Sequence, residues 1–178
     1  MQRLSDIALI AQVVTLGSER AFGQLVRAHQ EAVRRFLLRL TAGDEMRADD
    51  LAQETFIRAW QSLSSFRQLS GFETWLFKIA FRVFLDEQRK SKETADTFEE
   101  AVKAPMQPES FSLRYDLDRA LSTLSQLERT CVVLQCVEGQ SIKEITQITG
   151  IPENTVKSHL LRGKKNLANY LRKNGYNG

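Results

Sequence analysis

The sequence is poor in the residues that build catalytic, metal and disulfide-stabilised sites. Among its 178 residues are two histidines and two cysteines, and Cys131 and Cys136 are too few for a disulfide scaffold. On a helix, side chains five residues apart project roughly 140° apart, which is poor geometry for a metal or redox pair, so we expect both thiols to be buried. The nine glycines form neither a dinucleotide-binding loop nor a Walker A loop. These absences argue against many enzymes.

Proline and long hydrophobic runs are also scarce. The chain has three prolines, 42% hydrophobic and 26% charged residues, which are ordinary values for a globular protein. No apolar run approaches the roughly 18 residues that a membrane span needs, and the polar N-terminus lacks a secretory signal pattern. We therefore expect a cytoplasmic protein that does not insert directly into a membrane.

The formal net charge is only +3, but its distribution along the chain is uneven. Residues 96–118 contain six acidic and two basic side chains, whereas residues 119–178 contain four acidic and nine basic ones. From Asn154 to the end there are six basic residues and no acidic one. A basic terminal segment behind an acidic stretch indicates a nucleic-acid partner.

The hydrophobic periodicity is helical nearly throughout. It predicts a first domain over residues 1–92, with helices over about 4–15, 19–40, 47–63 and 70–92. Ser18 is placed to cap the second helix, and Ser70 with Glu73 has the pattern of a capping box for the fourth. His29 is the one polar member of the apolar stripe of the second helix, so we expect a packed core residue rather than a ligand.

Residues 93–112 have no apolar period and contain Pro105 and Pro108, which predicts a flexible linker. Residues 113–178 then form a second domain of about 65 residues. Its helix starts are marked by two capping boxes, at Ser125 and Ser141, and its turns by glycines. The predicted fold class is all-α, with two small helical domains joined by the linker.

The strongest motif is a helix-turn-helix over residues 141–160, made of a short capped helix, a turn at Gly150 and a longer basic helix. Ile145 and Val156 can pack the two helices together. The side chains left pointing outward are Asn154, Thr155, Lys157, Ser158, Leu161 and Arg162, with Lys165 one turn further. Hydroxyls and amides suit base edges, and cations suit phosphate or guanine. The alternative is a helical hairpin with a solvated basic face.

A second constellation lies on the polar side of the third helix. It comprises Asp49, Asp50, Gln53 and Glu54, opposite an apolar face with Phe56 and Trp60. Asp50 and Glu54 are one helical turn apart. Such carboxylates are open to three interpretations: acid–base chemistry, a solvated face, or an acidic docking surface for a basic partner.

These motifs, in this order, resemble the extracytoplasmic-function sigma factors, the small initiation subunits of bacterial RNA polymerase. The resemblance covers nearly the whole chain. Region 2 of that family carries an Asp-Leu-x-Gln-Glu helix that ends in an aromatic residue, here residues 50–54 with Phe56 and Trp60. The resemblance implies that Asp49, Asp50, Gln53 and Glu54 dock on the coiled coil of the polymerase β′ subunit, with the β subunit as a further partner.

Residues 66–80 resemble the part of region 2 that melts and reads the −10 promoter element. The implied DNA-binding residues are Phe66, Arg67, Trp75, Lys78, Arg82 and Arg89. Phe72 is expected in the core, whereas Phe66 and Trp75 are open to either a core or a base-stacking role. The family often has Asn where this chain has Arg82. Because Arg offers only donors, Arg82 is a candidate phosphate contact and the −10 preference stays open.

The second domain resembles sigma region 4, whose helix-turn-helix reads the −35 element. The matching residues are Glu138-Gly139-Gln140-Ser141, Glu144-Ile145 and Thr155-Val156-Lys157-Ser158. One departure is Gly163, which replaces a frequent alanine at a helix-propensity cost of about 1 kcal/mol.

The resemblance implies a sigma factor that binds core RNA polymerase and directs promoter-specific transcription initiation. It implies no catalytic activity, no cofactor, no small-molecule substrate and a partner anti-sigma factor. Two alternatives remain from the residues alone. One is a free-standing helix-turn-helix regulator that dimerises on a palindrome, and the other is a helical adaptor or hydrolase that uses Asp49, Asp50 and Glu54.

Overall fold

The computed structural model describes residues 2–67, 69–95 and 113–175. Within these ranges the secondary structure consists of eight α-helices and one short 3-10 turn, without a β-strand. The helices are α1 Gln2–Leu16, α2 Glu19–Leu40, α3 Glu45–Ser62, α4 Phe72–Ala95, α5 Leu113–Ser122, α6 Gln126–Cys136, α7 Ile142–Thr149 and α8 Glu153–Lys173. The all-α prediction is confirmed.

The first domain, α1–α4, is built around α2 and α4. The predicted bounds of α2 are confirmed, because Ser18 Oγ accepts a hydrogen bond from the Ala21 amide at 3.2 Å and starts the helix. Asp44 caps α3 in the same way, through the Arg47 amide at 3.0 Å. Phe36 lies in the core, as its place in the apolar stripe of α2 predicts, and it is joined there by three aromatic side chains of α4 that the sequence pattern did not single out: Phe77, Phe81 and Phe84.

The start of α4 differs from the prediction. The helix begins at Phe72, and the Gly71 carbonyl accepts the first helical hydrogen bond, from the Trp75 amide at 3.1 Å. Ser70 therefore lies one residue before the position that a capping box needs, and that prediction is wrong. The helix also continues to Ala95, so the first three residues of the predicted linker are helical. The rest of that linker, residues 96–112, lies outside the described residues.

His29 is a core residue, as predicted, with 4% of its surface exposed. Its Nε2 lies 3.1 Å from Asp6 Oδ2 of α1, so a buried polar pair joins α1 to α2. The His29 ring also contacts Phe72 edge-on, with the ring centroids 5.2 Å apart. The partner on the ring nitrogen offsets the cost of burying a histidine.

The second domain comprises α5–α8, of which α5 was not predicted. Both predicted capping boxes are present, at Ser125 with Glu128 and at Ser141 with Glu144. Pro152 is the N-cap of α8. Cys131 is buried, which raises the pKa of its thiol to about 11, but Cys136 is exposed, so the prediction of two buried thiols is half wrong.

The two domains pack against each other. Helix α7 lies on α4, α6 lies on α2, and the buried apolar residues of both domains belong to one continuous cluster. Within the described ranges, none of the helices combines the length and the apolar character that a membrane span requires.

Candidate nucleic-acid interface

The polar side of α3 faces a groove between α2 and α3. This α2–α3 groove has a volume of 670 Å³ and is lined by Val26, Arg34, Asp49, Gln53, Phe56 and Ile57, among others. Asp49 accepts a hydrogen bond from Arg34 Nε at 2.5 Å, an interaction that raises the pKa of the guanidinium. Asp49 is therefore committed to an ion pair within the domain, whereas Asp50 and Gln53 are exposed.

Glu54 is tied to its own domain as well. Arg58 Nε donates to Glu54 at 2.7 Å and Arg58 Nη1 donates to Asp86 of α4 at 2.7 Å. These contacts raise the pKa of Arg58, and the hydrogen bond from Arg58 is the main cause of the lowered pKa of Asp86. The network fixes α3 on α4. It leaves no carboxylate pair arranged like a general acid and base, because each anion in it has a cationic partner.

Two exposed apolar side chains lie in or beside the groove, and Ile57 was not predicted from the sequence. Ile57 and Trp60 are 52% and 39% exposed, and Trp60 contacts Phe22 edge-on with the ring centroids 5.0 Å apart. Trp60, which was predicted on the apolar face of α3 with Phe56, is therefore partly exposed to solvent. The sequence does indicate an exposed apolar patch here, because Ile57 and Trp60 are three residues apart on the helix and lie next to the residues of α3 that face the core.

The segment after α3 brings three aromatic side chains together. We call Phe66, Phe72 and Trp75 the aromatic cluster, since their ring centroids lie 5.4–5.6 Å apart. Phe72 is buried, as expected, with 4% exposure, whereas Phe66 and Trp75 are half-buried. The two residues that were open to either role thus pack on the core with one face and remain accessible to solvent.

Cations surround the aromatic cluster. Arg67 follows Phe66 and is exposed, and Lys78, Arg82 and Arg89 share one face of α4 because they are separated by four and seven residues. Arg89 Nη2 donates to Asp86 at 3.2 Å, while Arg82 is exposed. A cavity of 320 Å³ lies between Phe66, Arg67, Trp75 and Lys78. The structure thus brings four of the six predicted −10 residues together around the start of α4, with Arg82 and Arg89 further along the helix.

The helix-turn-helix has the predicted geometry. Ser141 and Glu144 bond reciprocally at the start of α7, and Gly150 adopts the left-handed conformation, with φ +77°, between α7 and α8. Ile145 and Val156 are both completely buried, so they lock the two helices together. The first turns of α8 are thereby held in a fixed orientation, which a groove-reading helix requires.

The predicted −35 residues lie on the outer face of α8. Six of them are exposed and Thr155 is half-buried; the exposed ones are Asn154, Lys157, Ser158, Leu161, Arg162 and Lys165. Lys157 lies 4.0 Å from Glu153, and Arg162 Nε lies 3.6 Å from Glu128. Both distances are long for ion pairs, and both cations are more than half exposed, so they can turn to a phosphate at little cost.

In the part of the chain that the structure describes, His, Cys, Asp and Glu form no group of three that could hold a metal ion. The site is therefore characterised by exposed cations, aromatic rings and an apolar groove. These are features of binding surfaces for nucleic acid and protein.

Comparison with protein families identifies both domains. The family described as "Sigma-70 region 2" matches residues 25–94, and "Sigma-70, region 4" matches residues 114–167. The two matches, in this order, define the class of the protein as that of the sigma-70 family.

Individual relatives define the group within that class. The ECF RNA polymerase sigma factor SigW of Bacillus subtilis is 31% identical over 175 residues, which cover 89% of this chain and 93% of SigW. The ECF sigma factor SigE of Mycolicibacterium smegmatis is 35% identical over 162 residues, covering 86% of this chain but only 62% of SigE. This chain belongs to the extracytoplasmic-function, or ECF, sigma factors of the sigma-70 family.

Solved structures have a similar fold. The sigma factor RpoE of Bartonella quintana, in complex with the anti-sigma factor NepR, matches 85% of this chain and 96% of its own with a TM-score of 0.73 and 29% identity. CnrH, in complex with the cytosolic domain of CnrY, matches 95% of this chain and 98% of its own with a TM-score of 0.69 and 26% identity. The similarity therefore extends over both domains.

Proposed function

We propose that this ECF sigma factor binds core RNA polymerase and directs it to a specific set of promoters, with the first domain reading the −10 element and the second the −35 element. The observation that carries the proposal is the succession of region 2 and region 4 matches along one chain. This pairing does not favour a free-standing helix-turn-helix regulator, which has no use for a region 2 domain.

The −35 contact is proposed for the first turns of α8. Lys157 has only a weak ion pair to lose, Arg162 has a long ion pair and a contact with His159 Nδ1 at 3.3 Å, and Asn154 and Ser158 can hydrogen-bond to base edges in the major groove. Leu161, which is 73% exposed, is suited to contact with a thymine methyl group. Exposure of so large an apolar side chain on a basic helix face is explained if that face is covered by DNA.

The −10 contact is proposed for the aromatic cluster and the α4 cations. Opening a promoter requires stronger binding to the melted strand than to the duplex, and this needs stacking surfaces and cations rather than covalent chemistry. Phe66 and Trp75 supply the rings, Arg67 and Lys78 line the adjoining cavity, and Arg82 and Arg89 extend the cationic face. The protein then acts by binding alone, without catalysis or a cofactor.

The polymerase contact is proposed for the α2–α3 groove. The exposed apolar anchor Ile57 lines the groove and Trp60 lies beside it; together with the polar groups Asp50 and Gln53 they have the composition of a protein–protein interface. By family resemblance the occupants are the β′ coiled coil and the β subunit. One of the similar solved structures is a complex of a sigma factor with an anti-sigma factor, and we propose a cytoplasmic chain with such a partner here too.

The −35 proposal is tested by replacing Lys157 with Ala. Loss of one phosphate contact should weaken promoter binding by the holoenzyme and reduce the slope of log affinity against log salt by about 1. Arg162→Ala should act in the same direction. Lys164→Ala is the matched control, because its Nζ contacts Gln135 of α6 at 2.6 Å and so points away from the outer face. Equal effects of Lys157→Ala and Lys164→Ala would contradict the assignment.

The docking proposal is tested by Gln53→Ala and Ile57→Ala. Each should weaken binding to core polymerase by roughly tenfold, the effect of a moderate interface hot spot. Met46→Ala is the control, since Met46 is 77% exposed on the same helix and does not line the groove. Unchanged affinity of both groove variants for core polymerase would favour the helical adaptor interpretation.

A further inference from the structure

The packing of the two domains covers part of the proposed −10 surface. Gln147 of α7 lines the cavity that also contains Arg67, Trp75 and Lys78. A neighbouring cavity of 360 Å³ is enclosed between Phe66 and Phe72 on one side and Ser141, Lys143 and Gln147 on the other. Helix α7, the first helix of the helix-turn-helix, therefore lies across the aromatic cluster.

Polar contacts between the domains are specific and partly buried. Thr74, the residue before Trp75, donates from its hydroxyl to Gln140 Oε1 at 2.9 Å, and both residues are buried. Arg129 of α6 donates to the Leu40 carbonyl at 3.2 Å. Such bonds select one arrangement of the two domains, because a shifted arrangement leaves buried polar groups without partners.

Two arginines of α2 have carboxylate partners from the second domain. Arg35 forms a bidentate pair with Glu138, with Nε at 2.9 Å from Oε1 and Nη2 at 2.6 Å from Oε2. One turn further, Arg39 Nη1 donates to Asp118. The Glu138 and Asp118 side chains are 1% and 14% exposed, so each acid is held inside the domain interface.

These ion pairs depend on the position of the second domain. The ion pairs within the first domain, such as that of Arg34 with Asp49, do not depend on it. Arg39 is only incompletely satisfied by Asp118, because its Nε is buried without a hydrogen-bond partner among the described residues. Arg35 and Arg39 are four residues apart and hence on the same face of α2. Separation of the domains would leave two adjacent guanidinium groups without the carboxylates that now bind them.

Promoter recognition requires that separation. The −35 and −10 elements lie roughly 25 base pairs apart, or about 85 Å along B-DNA at ~3.4 Å per base pair. A compact chain of this length has a radius of gyration of only about 16 Å. The packed domains therefore cannot contact both elements at once.

Arg35 belongs to the same domain interface as the start of α4, which carries part of the proposed −10 surface. Its partner Glu138 lies two residues before Gln140, which bonds Thr74 next to Trp75. A guanidinium that fits a carboxylate with two parallel hydrogen bonds fits a phosphate in the same manner. Glu138 and Asp118 thus occupy positions that DNA phosphates can take over when the second domain moves away.

We propose that Arg35 and Arg39 form a further DNA-phosphate site of the first domain, and that Glu138 and Asp118 act as internal phosphate mimics which block it while the domains are packed. This inference rests on the proposed function, since it extends the −10 surface. It makes single-stranded DNA and the second domain competitors for one surface. The free protein should then bind a promoter strand weakly until the domains separate.

The test compares two variants that break the same ion pairs from opposite sides: Glu138→Gln/Asp118→Asn and Arg35→Gln/Arg39→Gln. The probe is a fluorescein-labelled single-stranded 20-mer of mixed sequence, titrated with the free protein over a range of salt concentrations. The acid variant should bind severalfold more tightly than the wild type, with a salt slope steeper by roughly 1.4, or two phosphates at about 0.7 each. The arginine variant should show no gain and no steeper slope.

Equal gains in both variants would overturn the inference, because they would show that the ion pairs only hold the domains together. Absence of a gain in the acid variant would overturn it as well. Thermal melting checks that each variant is folded. If the double arginine variant is unstable because Arg39 is buried, Arg35→Gln alone takes its place. Arg27→Gln, at an exposed position of α2, controls for the loss of a positive charge from that helix. Wild-type transcription with core polymerase is measured in parallel. If the wild-type protein did not support transcription, the proposed function would be contradicted. If it supported transcription but both variants gained the same affinity for single-stranded DNA, only this inference would be contradicted.

Discussion

At the scale of single residues, Gly163 shows how packing overrides helix propensity. It lies inside α8, where alanine is intrinsically better by about 1 kcal/mol. A Cβ at this position would lie 2.8 Å from Val132 Cγ2 and 3.4 Å from the Glu128 carbonyl oxygen, both on α6. The close contact between α6 and α8 therefore requires glycine.

Gly163→Ala should destabilise the protein by about 1–3 kcal/mol, the typical cost of overpacking, despite its better helix propensity. The measurement is the free energy of unfolding from urea titration. Gly23→Ala is the matched control, because a Cβ there would meet only the end of the Arg27 side chain, at 3.6 Å. It should stabilise the protein by about 0.5–1 kcal/mol. A stabilising Gly163→Ala would contradict the described α6–α8 packing.

The effect of Glu73 on the free energy of unfolding depends on pH. Burial raises the pKa of its carboxyl, the carboxylates of Glu138 and Asp6 act in the same direction, and His29 and Arg35 oppose them. The folded state thus keeps the Glu73 proton to higher pH than the unfolded state does. Stability falls as the pH rises from the unfolded pKa through the folded pKa, and the loss persists above it.

Glu73→Gln should therefore raise the free energy of unfolding at pH 7 relative to the wild type, because the glutamine carries no charge that burial disfavours. The gain should disappear below the unfolded pKa, where the wild-type carboxyl is protonated in both states. Urea unfolding at pH 7 and at pH values below about 4 measures the difference. Exposed Glu31→Gln serves as the control, and a gain that is the same at both pH values would contradict the argument.

At the scale of helices, local signals predicted most of the fold. Ser18, Ser125 and Ser141 mark helix starts because their side chains bond backbone amides three residues ahead, which is a purely local interaction. The same logic failed at Ser70, where the chain turns through Gly71 before α4 begins. Helix α5 was missed because the acidic stretch beside it obscured its short apolar period.

The capping box of α7 supports a prediction at this scale. Ser141→Ala should lower the free energy of unfolding by about 1 kcal/mol, because the Glu144 amide loses its acceptor. Ser91→Ala is the control, since Ser91 is exposed inside α4 and alanine there should be neutral or slightly stabilising. Equal unfolding energies for the two variants would show that the cap does not hold the helix-turn-helix.

At the scale of the whole molecule, the sequence did not reveal how the domains meet. The residues of the −35 helix could be predicted because their exposure follows from the helix-turn-helix pattern. Arg35 and Glu138, in contrast, are 103 residues apart, and nothing local distinguishes them from other surface charges. The small net charge is the sum of cationic surfaces proposed to bind DNA and of acidic residues elsewhere. Two of these acidic residues, Glu138 and Asp118, form ion pairs with arginines of the other domain.

The central claim is that this chain gives core RNA polymerase promoter specificity. The most direct test is in vitro transcription of fragmented genomic DNA from the source bacterium by purified core polymerase, with and without the protein, followed by mapping of transcript 5′ ends. The account predicts new start sites that appear only with the protein, share −10 and −35 sequences, and weaken with Lys157→Ala but not with Lys164→Ala. The absence of protein-dependent start sites, together with tight sequence-specific duplex binding by the free protein, would contradict it.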